Sequence, residues 1–357
     1  MNRTRQYVII SIVVLLIGSF VIVPFFRGKD PVVTDETMGA QFNFVANLAV
    51  VYGKTIPMAF TATGNDLAKV DLYYQDSLIQ SWIKPKGVTN FNLNASYFGL
   101  GAKNIALVST SKSGQEYTDS RLIRVLSDIS PTELKAEIVK SYVHNSSSFT
   151  QGLEFSDGIL FESTGQKGMS MIAKVKLETG VIENKIGLDA NYFGEGITIL
   201  KDEIFQITWQ EQKCFVYDKN SLQIKKDFSY NGEGWGLCND GKSIIMSNGS
   251  EFITFRDPTS FQIQRSIEVY DQVGPKAYLN ELEYIDGKIY ANVWQSDIIL
   301  VIDPATGKVL SEIDCKTVAM AGRGNGEVLN GIAYNEAKKK IYLTGKNWSN
   351  LLEVSFK

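Results

Sequence analysis

Histidine is nearly absent from this sequence: His144 is the only one in 357 residues, which excludes any site built from several histidine ligands. The three cysteines, Cys214, Cys238 and Cys315, allow at most one internal disulfide and match no zinc-ligand spacing. Basic clusters are also scarce, because no basic run exceeds residues 338–340 and the net charge is −3. The composition therefore excludes zinc-finger and disulfide-scaffold proteins, and it gives nucleic-acid binding no electrostatic basis.

What the chain does contain is enough apolar material for a large core. Hydrophobic residues make up 44% of the sequence, charged residues 21% and aromatic residues 11%. These proportions exclude wholesale disorder. A length of 357 residues exceeds that of one ordinary domain, so we expect at least two parts or one large repeat fold.

The N-terminal segment predicts a membrane anchor over residues 1–29. Residues 7–26 contain no charged side chain, with Arg3 and Arg5 before them and Arg27 and Lys29 after them. Twenty helical residues at about 1.5 Å each span the hydrocarbon layer. The end of this stretch is a poor cleavage sequence, which favours an uncleaved transmembrane helix over a cleaved signal peptide. With the N-terminus inside, the rest of the chain is exported to a periplasmic or other extracytoplasmic location.

Residues 31–128 show short alternating runs separated by turn signals, which predicts a small β-sandwich of the immunoglobulin-like kind. We find no cluster of chemically useful side chains in this part, so a spacer or docking role is expected. The polar, proline-containing segment 127–134 is the predicted boundary to the following domain, residues 134–357. The predicted strands lie at residues 42–45, 55–60, 70–74, 105–108 and 122–125.

Repetition dominates the remaining sequence. Five similar segments have their second residues at positions 152, 196, 236, 281 and 331, and each is followed by further strand-like runs. Four-stranded units at intervals of 40–50 residues indicate a β-propeller, here with five blades. The last unit lacks room for a fourth strand, so residues 136–143 are predicted to supply it and to close the ring.

The loops entering the first strands of the units should gather at one mouth of such a ring. Trp209 and Trp294 end the second strands of their units, and Lys346 with Trp348 holds the equivalent place in the last unit. This convergence predicts a pocket with an aromatic wall and fixed polar groups. A second interpretation is that the carboxylates only cap backbone amides and the tryptophans only fill blade interfaces. The other residues expected at the mouth are Phe149, Gln151, Phe193, Glu195, Glu233, Trp235, Asn280, Glu281 and Asn330.

Several strings in this region resemble a known family. They include Phe149-Thr-Gln-Gly-Leu, Phe193-Gly-Glu-Gly-Ile-Thr, Gly232-Glu-Gly-Trp-Gly-Leu, Leu279-Asn-Glu-Leu-Glu-Tyr and Thr344-Gly-Lys. In order and spacing they are similar to the plant and bacterial, papaya-latex type of glutaminyl-peptide cyclotransferase, not to the zinc-dependent animal type. The resemblance runs from about Val139 to the C-terminus and covers neither the anchor nor the sandwich.

The resemblance implies an aminoacyltransferase that converts the N-terminal glutamine of peptides or proteins to 5-oxoproline and releases ammonia. It also implies a five-bladed propeller and a metal-independent reaction without a cofactor. The acid/base glutamate of the family matches Glu195. The other pocket residues match Phe149, Gln151, Phe193, Trp209, Trp235, Asn280, Trp294 and Lys346.

The chemistry of this reaction suits these residue types. One carboxylate in a partly dry site can accept the proton of the attacking amine and return it to the leaving nitrogen. The indole N–H groups and Lys346 are candidates for stabilising the developing oxyanion. Gln151 and Asn280 are candidates for binding the amine or carbonyl of the substrate.

Two other functions remain open at this point. A metal-dependent, lactonase-like propeller hydrolase could use Asn280, Asn330 and Glu195, but it would not explain the tryptophans. A non-catalytic binding propeller would explain the aromatic residues but not the pairing of Glu195 with Lys346.

Overall fold

The computed structural model describes residues 39–357, which are almost wholly β-strands and connecting turns. The predicted membrane helix over residues 7–26 lies outside the described residues. Within residues 39–357, no helix is both long enough and apolar enough to cross a membrane.

The first part of the described chain consists of two sheets. One sheet has three strands in the order β1-β3-β6, and the other has five in the order β2-β8-β7-β4-β5. A short 3-10 helix, Ala95–Phe98, connects β6 to β7. The strands are β1 Gly39–Phe42, β2 Leu48–Val51, β3 Thr55–Thr63, β4 Leu67–Tyr74, β5 Ser77–Ile83, β6 Gly87–Asn94, β7 Gly101–Ser111 and β8 Glu116–Leu126.

A shared apolar core fills the space between these two sheets. Every second residue of β3 is buried, including Ile56, Met58 and Phe60, as expected for a strand with one face on a core. Four of the five strands predicted in this part lie within observed strands. The prediction for residues 42–45 is wrong, because β1 ends at Phe42 and Val45 lies exposed in the turn that follows.

From residue 132 onward, the strands form three four-stranded sheets and one eight-stranded sheet in the order β22-β23-β24-β25-β9-β28-β27-β26. We divide the eight-stranded sheet between β25 and β9 and number the resulting five units, which we call sheets, I to V along the chain. Sheets I to IV contain four consecutive strands each, β10–β13, β14–β17, β18–β21 and β22–β25. Sheet V contains β26–β28 together with β9. These strands are β9 Thr132–Val143, β10 Thr150–Ser156, β11 Ile159–Thr164, β12 Met171–Lys176, β13 Val181–Gly187, β14 Gly194–Leu200, β15 Glu203–Thr208, β16 Lys213–Asp218, β17 Ile224–Ser229, β18 Leu237–Asn239, β19 Ile244–Ser247, β20 Phe252–Arg256, β21 Ile263–Glu268, β22 Leu279–Ile285, β23 Lys288–Val293, β24 Ile298–Ile302, β25 Val309–Asp314, β26 Leu329–Asn335, β27 Lys340–Gly345 and β28 Asn350–Phe356.

Each sheet shares an apolar core with the next one along the chain. The cores between sheets I and II, II and III, III and IV, and IV and V are separate clusters of buried side chains. A further cluster joins sheet V back to sheet I, where Tyr342 and Leu351 pack with Leu153 and Leu160. The packing therefore returns to its starting point, and the fold is all-β and propeller-like.

Strand β9 holds the beginning of this region to its end. Its residues 136–143 pair antiparallel with β28, as the sequence predicts. The strand starts earlier than expected, however, and residues 132–135 pair in parallel with β25 of sheet IV. β9 therefore pairs with β25 of sheet IV as well as with β28 of its own sheet V. The short helix α1, Lys316–Gly322, packs against β9, β27 and β28.

The two-sheet part packs directly against sheets III and IV. Glu268, at the end of β21, accepts hydrogen bonds from Lys103 Nζ at 2.6 Å and from the backbone of Ala102 at 3.2 Å. Lys308 pairs with Asp128 at 2.7 Å, and Tyr270 is buried within the core of the two-sheet part. Charged and apolar contacts thus fix this junction.

Substitution of Gly101 tests how much this junction contributes to the stability of the fold. Its φ is +107°, and a Cβ at this position would lie 1.9 Å from Glu268 Oε2. Gly101→Ala would therefore displace a carboxylate that two donors hold. Gly99→Ala is the matched control, because Gly99 also has a positive φ (+71°) but a Cβ there meets nothing within 4 Å. We expect Gly101→Ala to be less stable than the control by about 1–3 kcal/mol in urea unfolding. Equal unfolding midpoints would contradict this.

Candidate active site

Glycines bring the first strands of neighbouring sheets unusually close together. A Cβ on Gly152 would lie 2.5 Å from the backbone nitrogen of Ile197, and one on Gly196 would lie 2.5 Å from that of Leu237. A Cβ on Gly236 would lie 2.0 Å from the carbonyl oxygen of Asn280. Since no side chain fits at these points, the residues just before the glycines, including Gln151 and Glu195, converge at one end of the strands.

Glu195 is held by a short chain of amides. Gln151 Nε2 donates to Glu195 Oε1 at 3.0 Å, and Asn330 Nδ2 donates to Gln151 Oε1 at 3.2 Å and to the carbonyl of Thr150 at 3.0 Å. The three side chains come from sheets I, II and V and are all buried. The arrangement therefore fixes the orientation of a carboxyl group that makes no ion pair among residues 39–357.

Burial raises the pKa of Glu195 well above its ordinary value, and the negative charges of Glu233 and Glu211 act in the same direction. The ammonium of Lys346 opposes this shift. Burial in turn lowers the pKa of Lys346, which is 6% exposed. The site thus contains an acid that retains its proton more readily than usual, close to an amine that releases one more readily.

A row of half-buried aromatic rings begins beside Lys346. Lys346 Nζ lies 4.9 Å from the ring centroid of Phe149. The centroids of Phe149 and Phe193 are 6.2 Å apart, and those of Phe193 and Trp209 are 5.6 Å apart, with steep interplanar angles. A cation near a ring face and edge-to-face ring pairs are both favourable contacts. These residues form the first part of an aromatic wall.

The second part of the wall comes from sheets III and IV. Trp235 and Trp294 have ring centroids 5.6 Å apart, and Tyr278 lies 6.1 Å from Trp294. The indole N–H groups of Trp209 and Trp235 both donate to Glu233 Oε2, at 2.9 Å and 3.0 Å. Both N–H groups are therefore occupied, whereas the sequence predicts them as candidates for stabilising the developing oxyanion. The indole N–H of Trp294 has no hydrogen bond within the described part of the chain.

Two other predicted positions need separate mention. Asn280 is buried, and its Oδ1 has no hydrogen-bond partner among residues 39–357. Trp348 does not belong to the site, contrary to its expected place at the mouth. Its side chain is fully buried in the core between sheets IV and V, and its indole N–H donates to the carbonyl of Glu327 at 3.0 Å.

The interpretation of carboxylates as backbone caps is correct for other members of the same strands. Glu281 accepts the backbone N–H groups of Leu153 and Ile332, at 3.2 Å and 2.9 Å. Glu154 accepts that of Ile199 at 3.0 Å, and burial raises its pKa to about 8. These groups join the first strands of different sheets. Glu195 differs from them because its hydrogen-bond partner is the side-chain amide of Gln151.

No group of three or more histidine, cysteine, aspartate or glutamate side chains within residues 39–357 is arranged to hold a metal ion. Cys214, Cys238 and Cys315 are all buried and free, so none of them forms the internal disulfide that the sequence allowed.

Comparison with known proteins identifies the family. The sequence model of the Glutamine cyclotransferase family matches residues 105–356, about two thirds of the chain. This chain belongs to the glutamine cyclotransferase family. The matched range begins within β7 and includes all five sheets and every residue of the candidate site.

Two relatives support this membership. A glutaminyl-peptide cyclotransferase from Arabidopsis thaliana is 37% identical over 236 residues, which are 64% of this chain and 74% of that protein. The crystal structure of Myxococcus xanthus glutaminyl cyclase aligns with a TM-score of 0.61 and 35% identity, over 64% of this chain and 99% of that one. Each of these two alignments therefore covers most of the length of the relative.

The sequence predicts Glu233 and Asn330 at the mouth, but neither is among the residues that match the pocket of the cyclotransferase family. Glu233 stands between two glycines, as Glu195 does, and this shared pattern was the available signal. Asn330 occupies the position in its repeat that corresponds to Gln151 and Glu195 in theirs.

Proposed function

We propose that this protein converts the N-terminal glutamine of peptides or proteins to 5-oxoproline and releases ammonia. The observation that carries the proposal is the arrangement of Glu195, a buried carboxyl group with a raised pKa, held by Gln151 and close enough to Lys346, which lies beside Phe149, for the ammonium to oppose the shift. Membership in the glutamine cyclotransferase family gives this arrangement its substrate class.

Glu195 is the proposed acid and base. As a carboxylate it takes a proton from the α-amine while that nitrogen bonds to the side-chain carbonyl carbon of the same glutamine. As a carboxylic acid it then returns the proton to the carboxamide nitrogen, so the C–N bond breaks and ammonia leaves. A group whose pKa lies close to the working pH suits both steps, and such catalysis is worth about 10²–10⁴-fold.

Lys346 is the proposed partner for the oxygen charge of the tetrahedral intermediate. Its Nζ has no acidic side chain within ion-pair distance among residues 39–357, so its donors are available to a substrate oxygen. The Trp294 N–H is the other available donor in the aromatic wall. A buried ammonium stabilises a developing oxyanion more strongly than a solvated one does.

The remaining site residues position the substrate. Phe149, Phe193, Trp209, Trp235 and Trp294 enclose the methylenes of the glutamine, and Asn280 uses its unpartnered Oδ1 to accept from the substrate amine. Because the attacking and attacked groups belong to one residue, holding that residue in its ring-closing conformer supplies a large part of the rate.

The proposal extends to the architecture. The five successive sheets, and the core that joins sheet V to sheet I, support a five-bladed propeller over residues 134–357. The two packed sheets support an immunoglobulin-like sandwich within residues 31–128. The uncharged stretch at residues 7–26 supports a single membrane helix that anchors an exported catalytic domain.

A coupled ammonia assay on the purified protein with a Gln-initiated dipeptide tests this function. We expect one ammonia per peptide, and the same rate after exposure to a strong chelator, because Glu195 and Lys346 supply the proton transfer and the positive charge. Activity that disappears with chelator and returns with one metal would favour a metal-dependent enzyme. Peptide binding without ammonia release would favour a binding protein.

A further inference from the structure

One carboxylate joins the two halves of the aromatic wall. Glu233 receives the indole N–H of Trp209 at 2.9 Å and that of Trp235 at 3.0 Å, both on Oε2. Its Oε1 receives the side-chain amide of Gln210 at 3.0 Å. Trp209 follows the last residue of β15 in sheet II, whereas Trp235 precedes β18 in sheet III. The two tryptophans thus come from different sheets and meet at one acid.

The strength of this arrangement follows from its chemistry. An indole N–H can only donate, and hydrogen bonds to an ionised acceptor are about twice as strong as neutral ones. Two such bonds to the same oxygen constrain the distance and the angle between the two indole rings. Trp209 also packs on Phe193, and Trp235 packs on Trp294, so displacement of either indole would displace its neighbour.

The backbone around Glu233 keeps the carboxylate in place. Gly234 donates its N–H to the carbonyl of Trp209 at 2.9 Å, and a Cβ on Gly234 would lie 2.3 Å from the hydroxyl of Tyr230. Because this segment lies so close to Tyr230 and to the end of β15, only glycine fits at position 234, next to Glu233. The local chain is built so that Glu233 reaches the space between the two indoles.

We propose that Glu233 is a positioning residue for the cyclisation, which sets the separation of Trp209 and Trp235 and thereby holds the glutamine side chain in its ring-closing conformer. This inference rests on the proposed function. The negative charge of Glu233 has a second effect, because it adds to the burial that raises the pKa of Glu195.

Two substitutions separate these effects. Glu233→Gln keeps an oxygen that can accept both indoles but removes the charge. Glu233→Ala removes both the acceptor and the charge. We expect kcat of Glu233→Ala to fall about 10²-fold, since misplacing a bound substrate by about 1 Å has an effect of this size. Glu233→Gln should recover most of that loss.

The pH profile and the tryptophan signals give readouts that general loss of stability would not produce. Removing the charge of Glu233 lowers the pKa of Glu195, so the acidic limb of kcat/KM should move to lower pH in Glu233→Gln. The near-UV circular dichroism of the tryptophans should change in Glu233→Ala and stay close to the wild type in Glu233→Gln.

Gln210→Ala is the matched control, because it removes a donor to Glu233 but disturbs neither indole, and it should behave as the wild type.

The outcomes distinguish this inference from the proposed function. Ammonia release by the wild type together with equal kcat in Glu233→Ala would overturn the positioning role. Equal losses in Glu233→Gln and Glu233→Ala, with unchanged tryptophan signals in both, would also overturn it in favour of charge alone. No ammonia release by the wild type would overturn the proposed function and this inference with it.

Discussion

Replacing Glu195 by glutamine is expected to reduce turnover by about 10²–10⁴-fold, because an amide can neither accept the amine proton nor return it to the leaving nitrogen. The amide has nearly the same shape as the carboxyl group, and its oxygen can still accept the hydrogen bond from Gln151 Nε2. Binding of the glutamine side chain should therefore change much less than kcat. Steady-state kinetics of ammonia release measure both parameters.

Glu154→Gln is the matched control for this substitution. Glu154 is partly buried on the first strand of sheet I and also has a raised pKa, but it accepts the backbone N–H of Ile199. Its amide variant should keep nearly full activity. Near-normal turnover by Glu195→Gln, with unchanged circular dichroism, would remove Glu195 from the mechanism. Equal losses in both variants would indicate a general effect of replacing buried carboxyl groups.

The sequence allows accurate prediction of the features that depend on periodicity. The first strands of the sheets start within two residues of the repeated segments, and residues 136–143 pair with β28 as expected. The period of 40–50 residues fixes which strand comes first in each sheet, and therefore which side chains meet at the mouth. Gln151 and Glu195 lie at equivalent repeat positions, and the structure brings them within hydrogen-bond distance.

Features that depend on packing between sheets were not predictable in this way. The shared acceptor of Trp209 and Trp235 depends on the rotation of sheet II relative to sheet III, which no repeat spacing encodes. Trp348 has the repeat position of a mouth residue, yet glycines at positions 345 and 322 leave room for its ring inside the core. The edge strands β5 and β6 were missed because they carry many polar, exposed residues and so have a weak apolar period.

The second large effect is expected from breaking a buried ion pair near the mouth. His144 follows β9 and bonds through Nδ1 to the carbonyl of Trp348 at 2.8 Å and through Nε2 to Glu162 at 3.0 Å. Glu162 lies on β11 of sheet I, whereas Trp348 precedes β28 of sheet V. The imidazolium thus links the first sheet to the last, and Glu162 also accepts hydrogen bonds from Ser148 and Thr150, the two neighbours of Phe149. Both His144 and Glu162 are almost fully buried.

His144→Leu is expected to destabilise the fold by about 3–5 kcal/mol, because it leaves the Glu162 carboxylate buried without its cation. Urea unfolding at neutral pH measures this change. Replacing both residues by leucine should be less damaging than His144→Leu alone, since no unpaired charge then remains. Lys357→Gln is the control: it removes an exposed ion pair with Glu137 between β28 and β9, and such pairs contribute about 0–1 kcal/mol.

The pH dependence identifies the charges as the cause. Burial works against both charged forms, but the mutual attraction and the hydrogen bonds hold the pKa of His144 above its ordinary 6.5 and that of Glu162 below its ordinary 4.5. The contribution of His144 is lost as pH rises through its raised pKa, and that of Glu162 is lost as pH falls through its lowered pKa. The difference in stability between the wild type and His144→Leu should therefore be largest between pH 4.5 and 6.5, the two ordinary values, and should shrink on both sides. A difference that stays constant with pH would show that His144 acts through packing alone.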